Sequence, residues 1–180
     1  MKLPVLLFVL SGLVCVFGYL VPAWSDVLLA SGPAALASGW LVWRAWRRPD
    51  WIIVDGSNVM YWKDNTPKVE PLLDVIHLLR SQGLSVVVFF DANAGHLLAG
   101  RYLHHDAFAK LLKHPEKHIM VVPKGTPADP YILKAAQGYR ARIVTNDQFR
   151  DWAEEYPDVG NAGFLIKGEY RSGQLSLDLA

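Results

Sequence analysis

The chain has 180 residues, enough for one domain and an appendage, and its 52% apolar content is unevenly spread. Residues 3 to 43 carry a single charged side chain, Asp26, and from residue 50 onward 14 Lys and Arg face 16 Asp and Glu, a net −2. Overall charge therefore gives no support to nucleic-acid binding, and the single cysteine, Cys15, excludes an internal disulfide and any cysteine-rich zinc module.

The first predicted element is an uncharged stretch over 3–25, ending in Tyr19, Pro22 and Trp24. As a helix it would span roughly 30 Å, about the thickness of a bilayer's hydrocarbon core. A second stretch, 27–43, is interrupted by Gly32 and Pro33 and closes on Trp40, Trp43 and Trp46, interleaved with Arg44, Arg47 and Arg48. Interfacial aromatics followed by arginines mark a cytoplasmic helix end. Lys2 marks the other end as cytoplasmic too, with Ser25 and Asp26 at the outer turn. Residues 1–48 thus read as a two-pass hairpin in the cell membrane, followed by a cytoplasmic domain over 49–180. Cleavage after the small residues AALAS, or a second stretch that only re-enters the interface, are the competing readings.

Beyond the linker RAWRRPD the pattern alternates. WIIVD is a short apolar strand, and 69–82 is a helix with Leu72, Leu73, Ile76 and Leu79 on one face and Gly83 as its stop. SVVVFFD is a β-branched and aromatic strand, ANAGH a polar loop, and the stretch near 101–113 a helix. HIMVV is a third strand, PYILKAAQGY a helix, ARIVT a fourth strand, and DQFRDWAEEY a helix stopped by Pro157. GFLIKG and QLSLDL are short closing strands. Continuous apolar strands alternating with helices predict an α/β domain whose mostly parallel sheet is covered on both faces.

Five aspartates fall just past predicted strands: Asp55, Asp91, Asp129, Asp147 and Asp151. Loops at the carboxyl ends of parallel strands converge on one crevice. Carboxylates gathered there repel one another unless a cation neutralises them, and hard divalent ions take such oxygen ligands. The set therefore reads as a Mg²⁺ or Mn²⁺ site. Taken singly, each has a plainer explanation. Asp55-Gly56-Ser57-Asn58 suits a turn with Ser57 as a cap. Asp129-Pro130 suits a helix cap followed by Pro at the first helical position. In a helical DQFRDW, Asp147 and Asp151 would share one face one turn apart, with Arg150 between them. The basic stretch 101–118 reads as a solvated face or as a phosphate or anionic-lipid patch. Lys124, just before GTPAD, is the better candidate to meet a phosphate.

The stretches IIVDGSNVMYW, VVVFFDAN, VPKGTPADPYILKAA and ARIVTNDQFRDW, in that order, give residues 51–167 a family likeness. This region resembles the NYN branch of the PIN-like ribonucleases, close to the nuclease domain of the Regnase-type CCCH zinc-finger ribonucleases. The resemblance implies a Rossmann-like three-layer sandwich, an RNA substrate and a Mg²⁺- or Mn²⁺-dependent endoribonuclease site, leaving 5′-phosphate and 3′-hydroxyl ends. It implies site roles for Asp55, Asp129, Asp147 and Asp151, with Asn58 beside them and Asp91 as a further candidate ligand. Ser57 and Asn58 would orient carboxylates or a phosphate, and Lys124 and Arg150 would meet substrate. The chain departs from the family where two adjacent acids become Ala128-Asp129, in having no CCCH finger, and in its membrane hairpin. The expected activity is a membrane-anchored endoribonuclease, alone or as a homo-oligomer. The alternative is a catalytically weak module binding RNA or a protein at the membrane. A phosphatase is disfavoured because no second aspartate follows two residues after Asp55.

Overall fold

A computed structural model describes residues 2–46 and 49–179. Two compact units form, Met1–Pro49 and Asp50–Ala180.

In the first unit, helices α1 (Lys2–Leu20) and α2 (Leu28–Trp46) are joined by a 3₁₀ turn, Pro22–Val27, which contains Ser25 and Asp26. Both helices are long and apolar enough to cross a membrane. Their contact face is small and polar. The Ser11 and Ser38 hydroxyls lie 3.3 Å apart, the Cys15 thiol donates to Ser31 Oγ, and Gly39 receives the ring of Phe8. Small residues let helix backbones approach where no water drives them together. The large apolar side chains, Leu6, Leu13 and Leu36 among them, point outward. Arg44 lies over the Trp40 ring. Arg47 and Arg48, expected at the inner end, lie outside the described residues, as do the side chains of Lys2 and Trp46.

In the second unit, five strands form one parallel sheet: β1 (Trp51–Asp55), β2 (Ser85–Phe90), β3 (Ile119–Val121), β4 (Arg142–Val144) and β5 (Leu165–Ile166). Their order is β3-β2-β1-β4-β5. The period-two alternation of strand side chains divides the core into two layers. Ile52, Val54, Val86, Val88 and Phe90 face one way, against helices α4 (Glu70–Ser81) and α6 (His105–Leu112). Ile53, Val87, Phe89 and Ile143 face the other way, against helix α7 (Asp129–Tyr139), with Phe149 and Tyr156 beside it. This is the expected three-layer α/β sandwich. On α4, Leu72, Ile76 and Leu79 are buried as their spacing predicts, and Val75 joins them.

Two local expectations need correction, and the closing strands expected in GFLIKG and QLSLDL gain a further strand between them. The loop ANAGH begins a helix, α5 (Ala94–Ala99), which ends at Gly100 in the left-handed region, φ 68°. The helix expected near 101–113 is therefore shorter, starting at His105. DQFRDWAEEY holds no α-helix. Asp147 Oδ1 accepts from the Phe149 N–H at 2.8 Å, and Phe149 turns left-handed (φ 46°) to bury its ring, leaving only a 3₁₀ turn over Arg150–Trp152. An aspartate that captures the backbone two residues on diverts it from the helical ladder. Finally, the closing segment makes an antiparallel hairpin of its own, β6 (Gly168–Arg171) with β7 (Gln174–Leu177). The Tyr170 hydroxyl donates to Asp74 and ties this hairpin to α4.

Candidate functional site

β1 lies at the centre of the sheet, with β2 on one side and β4 on the other, so the chain reverses its winding between β1 and β4. Ligands of open parallel sheets bind at the carboxyl ends of such a pair. Asp55 is the last residue of β1, and Thr145, Asn146 and Asp147 follow β4.

Asp55 is the most constrained of the aspartates. It is only 7% exposed and caps the short helix α3 (Gly56–Val59). Its Oδ1 accepts from the Asn58 N–H at 3.1 Å, and its Oδ2 accepts from the Thr145 hydroxyl at 3.0 Å. Burial raises its pKa to about 7. The hydrogen bonds from Thr145 and Asn58 pull it down, and the neighbouring charges of Asp129 and Asp91 push it further up. Asp129 is also raised, first by burial and then by Asp147, while a hydrogen bond from the Trp152 indole (3.2 Å) opposes the shift. Asp91 and Asp151 add to the repulsion at Asp129. Asp91, Asp147 and Asp151 thus act electrostatically on Asp129, and Asp129 and Asp91 act on Asp55.

The group is open rather than caged. Among the described residues, no three His, Cys, Asp or Glu side chains stand ready to hold an ion between them. The donors these side chains offer are all oxygen, the ligand type that hard divalent ions take.

Several supporting roles differ from expectation. Asp55, not Ser57, is the cap of the turn. The Ser57 hydroxyl instead accepts from the Asp91 N–H at 2.8 Å and fixes the end of β2. Asp129 occupies the first position of α7, with Ala128 as the cap residue, so its carboxyl is not used in capping. Asp147 and Asp151 share no helix face; Asp147 holds the Phe149 turn, and Asp151 lies on the exposed 3₁₀ turn. Asn58 is a positioning residue. Its Oδ1 accepts both the Trp62 indole (2.8 Å) and the Asn146 N–H (3.0 Å), joining the β1 turn to the β4 loop. Arg150 is exposed and donates to Gln148. Lys124 lines a cleft together with Ser57 and Asp91. Ala128 is 4% exposed and packs in the α7 core layer, so a longer acidic side chain there would have to leave that layer.

Sequence reasoning missed Thr145, Asn146 and Trp152. The Thr145 Oγ1 donates to Asp55 and accepts the Asp147 N–H at 3.1 Å, so a single hydroxyl sets two site residues. The polar run TND directly after an apolar strand was the available signal. Asn146 makes a two-point clamp on Gly168, donating to its carbonyl at 2.9 Å and accepting from its N–H at 3.1 Å. Asn146→Ala removes both bonds and is expected to cost about 1–2 kcal/mol. Amide exchange at β6 and β7 should quicken with it. Unchanged protection there would show that the clamp is not formed in solution.

Comparison with known proteins agrees with this geometry. Two structures from Arabidopsis thaliana share the fold. Nuclear proteinaceous RNase P 2 aligns with a TM-score of 0.57 and 19% identity, over 73% of this chain and 30% of that one. A second structure, of nuclear protein-only RNase P 2, aligns with a TM-score of 0.52 and 21% identity, over 87% and 36%. The chain therefore spans about a third of the length of each. No curated protein matches it. The Zc3h12a-like ribonuclease NYN domain matches residues 48–162, most of the chain and the sheet-bearing unit up to β5. With Asp55, Asp129 and Asp147 gathered at the switch point of that matched region, the chain belongs to the Zc3h12a-like ribonuclease NYN domain family.

Proposed function

We propose that the chain is a metal-dependent endoribonuclease held at the membrane by its N-terminal hairpin. The observation that carries this reading is Asp55, a carboxyl buried at the switch point with two further carboxylates bearing on it. The bonds from Thr145 and the Asn58 N–H offset part of the cost, yet the carboxyl still sits well above its ordinary range, a burden that a bound cation would relieve. Asp55, Asp129 and Asp147 would hold one or two Mg²⁺ or Mn²⁺ ions directly or through water, with Asp151 and Asp91 completing the set. When bound, such an ion activates a water for in-line attack on an RNA phosphodiester and stabilises the leaving oxygen.

The chain's own residues supply the alignment. Thr145 and the Asn58 N–H hold the Asp55 carboxylate from opposite sides, and the Trp152 indole steadies Asp129. Ser57 keeps Asp91 at the mouth of the cleft, where Lys124 is placed to meet a phosphate. The two apolar helices would anchor this chemistry at the cytoplasmic face of the cell membrane, with Lys2 marking one inner end and the arginines from Arg44 onward the other.

The test uses the full chain in detergent micelles. Single-stranded RNA should be cleaved with Mn²⁺, spared with EDTA, and cleaved at least roughly 100-fold more slowly by Asp147→Asn. Activity that survives both changes rejects the mechanism. The chain should stay with membranes through salt and alkaline washes; release by salt alone rejects the anchor. A second reading, an RNA-binding module with weak catalysis, is favoured by Ala128 in place of an acid and by the open carboxylate group. Tight binding without cleavage across several ions would select it.

A further inference from the structure

Between β2 and α6 the chain builds a feature that phosphodiester cleavage does not require. A cleft of about 700 Å³ opens beside Asp91, with Tyr61, His96, Leu97, Tyr102 and Lys124 on its walls. That size falls within the range of roughly 300–1,000 Å³ seen for ligand sites.

Close packing shapes the rim. A Cβ on Gly95 would stand 2.5 Å from Leu103 N and 2.9 Å from the Arg101 carbonyl, so residues 101–103 lie against α5 only because position 95 has no side chain. Leu103 is buried and anchors the segment. Tyr102, the residue before it, is left 41% exposed, with its ring centroid 6.3 Å from His96. His104 meets the same ring edge-on at 4.6 Å and fixes its orientation. An exposed, oriented tyrosine face is thus presented next to the carboxylate group, and Lys124 is the cation on the cleft wall.

Flat aromatic faces with one cation suit a nucleotide: the rings take a base and the ammonium takes a phosphate. We propose that this cleft is a nucleobase subsite, stacking one unpaired base of the RNA substrate on Tyr102 while Lys124 holds the adjoining phosphate. The proposal rests on the ribonuclease reading for its choice of ligand. Bases stack on aromatic side chains whatever their sequence. A base engaged in a duplex cannot reach a side-wall ring, so the subsite selects for single strands.

The experiment measures binding of a short fluorescent single-stranded RNA to the full chain in micelles, in an Asp147→Asn background. Tyr102→Ala should weaken binding by about 5- to 100-fold, while Tyr102→Phe, which keeps the ring, should bind like its parent. Binding of duplex RNA should not change with either variant. Lys124→Ala should lower the slope of log affinity against log salt by about one phosphate contact. Single-strand binding unchanged by Tyr102→Ala, or weakened equally by Tyr102→Phe, overturns the subsite. The two readings fail separately. Tyr102-dependent binding by a chain that never cleaves would sink the nuclease and keep the subsite; cleavage with Tyr102-independent binding would do the reverse.

Discussion

Asp55→Asn is expected to abolish RNA cleavage and, in metal-free buffer at about pH 8, to make the protein more stable rather than less. The side chain is isosteric, and its amide oxygen can still accept from the Asn58 N–H. The new NH₂ would donate to the Thr145 hydroxyl, reversing that bond, and the larger change is the loss of charge. The native pKa of Asp55, about 7, lies above its ordinary value of 3.8. The folded state therefore binds this proton more tightly than the unfolded state. The associated stability is fully present below about pH 3.8 and is lost as pH rises to about 7. At one pKa unit per 1.36 kcal/mol, the loss is on the order of 4 kcal/mol, and water entry or local relaxation will reduce it. The neutral amide escapes that loss, so the variant should melt roughly 5–10 °C higher at about pH 8 and close to wild type at about pH 4. Adding Mn²⁺ should raise the wild-type melting point and leave the variant's unchanged, because a cation relieves only a charge that exists. A variant that melts lower at both pH values, or that gains as much from Mn²⁺ as wild type, would show that Asp55 is not a carboxylate kept for an ion.

Gly56→Ala is expected to destabilise the sheet-bearing unit strongly for a change of one methyl group. The added Cβ would lie 2.4 Å from Phe90 Cε1 and 2.8 Å from the Phe89 carbonyl oxygen. Neither neighbour can yield easily. The carbonyl belongs to the backbone of β2, and the Phe90 ring is fully buried and stacked on Phe108 with centroids 4.0 Å apart. Overpacking of this kind costs about 1–3 kcal/mol even where side chains can repack, and here the backbone itself must shift. Chemical denaturation should show the loss, and cleavage should fall with it, since the strain sits one residue from Asp55. Gly138→Ala is the control. Nothing lies within 4 Å of a Cβ at that position in α7, and alanine gains up to about 1 kcal/mol in a helix. If Gly56→Ala were as stable as Gly138→Ala, the close approach of the β1 turn to β2 would be wrong.

The sheet was legible in the sequence because its strands are short apolar runs separated by strong stops such as Gly83, and because α4 repeats its apolar residues at helical spacing. The end of the sheet at which Asp55 and Asp91 lie was legible for the same reason: strand ends in a parallel sheet share one edge. The parts that were not legible depend on local competition for backbone hydrogen bonds. Helical spacing in DQFRDW gave no sign that the Asp147 carboxylate would take the Phe149 N–H and break the helix. The six residues of α5 are too few to show a periodicity. Thr145 and Asn58 look like ordinary strand-end and turn residues until the fold brings positions 58 and 146 within hydrogen-bond reach.

The bonding around Asp55 also has a dynamic consequence. One of its oxygens is held from the turn after β1 and the other by Thr145, which in turn grips the amide of Asp147. The Asp55 carboxylate therefore joins the two winding halves at the very edge of the sheet, beside the Asn58–Asn146 bond and the β1–β4 ladder. Protonation or ion capture at that point would reach both loops at once, so this edge of the sheet should stiffen or loosen as one unit rather than residue by residue.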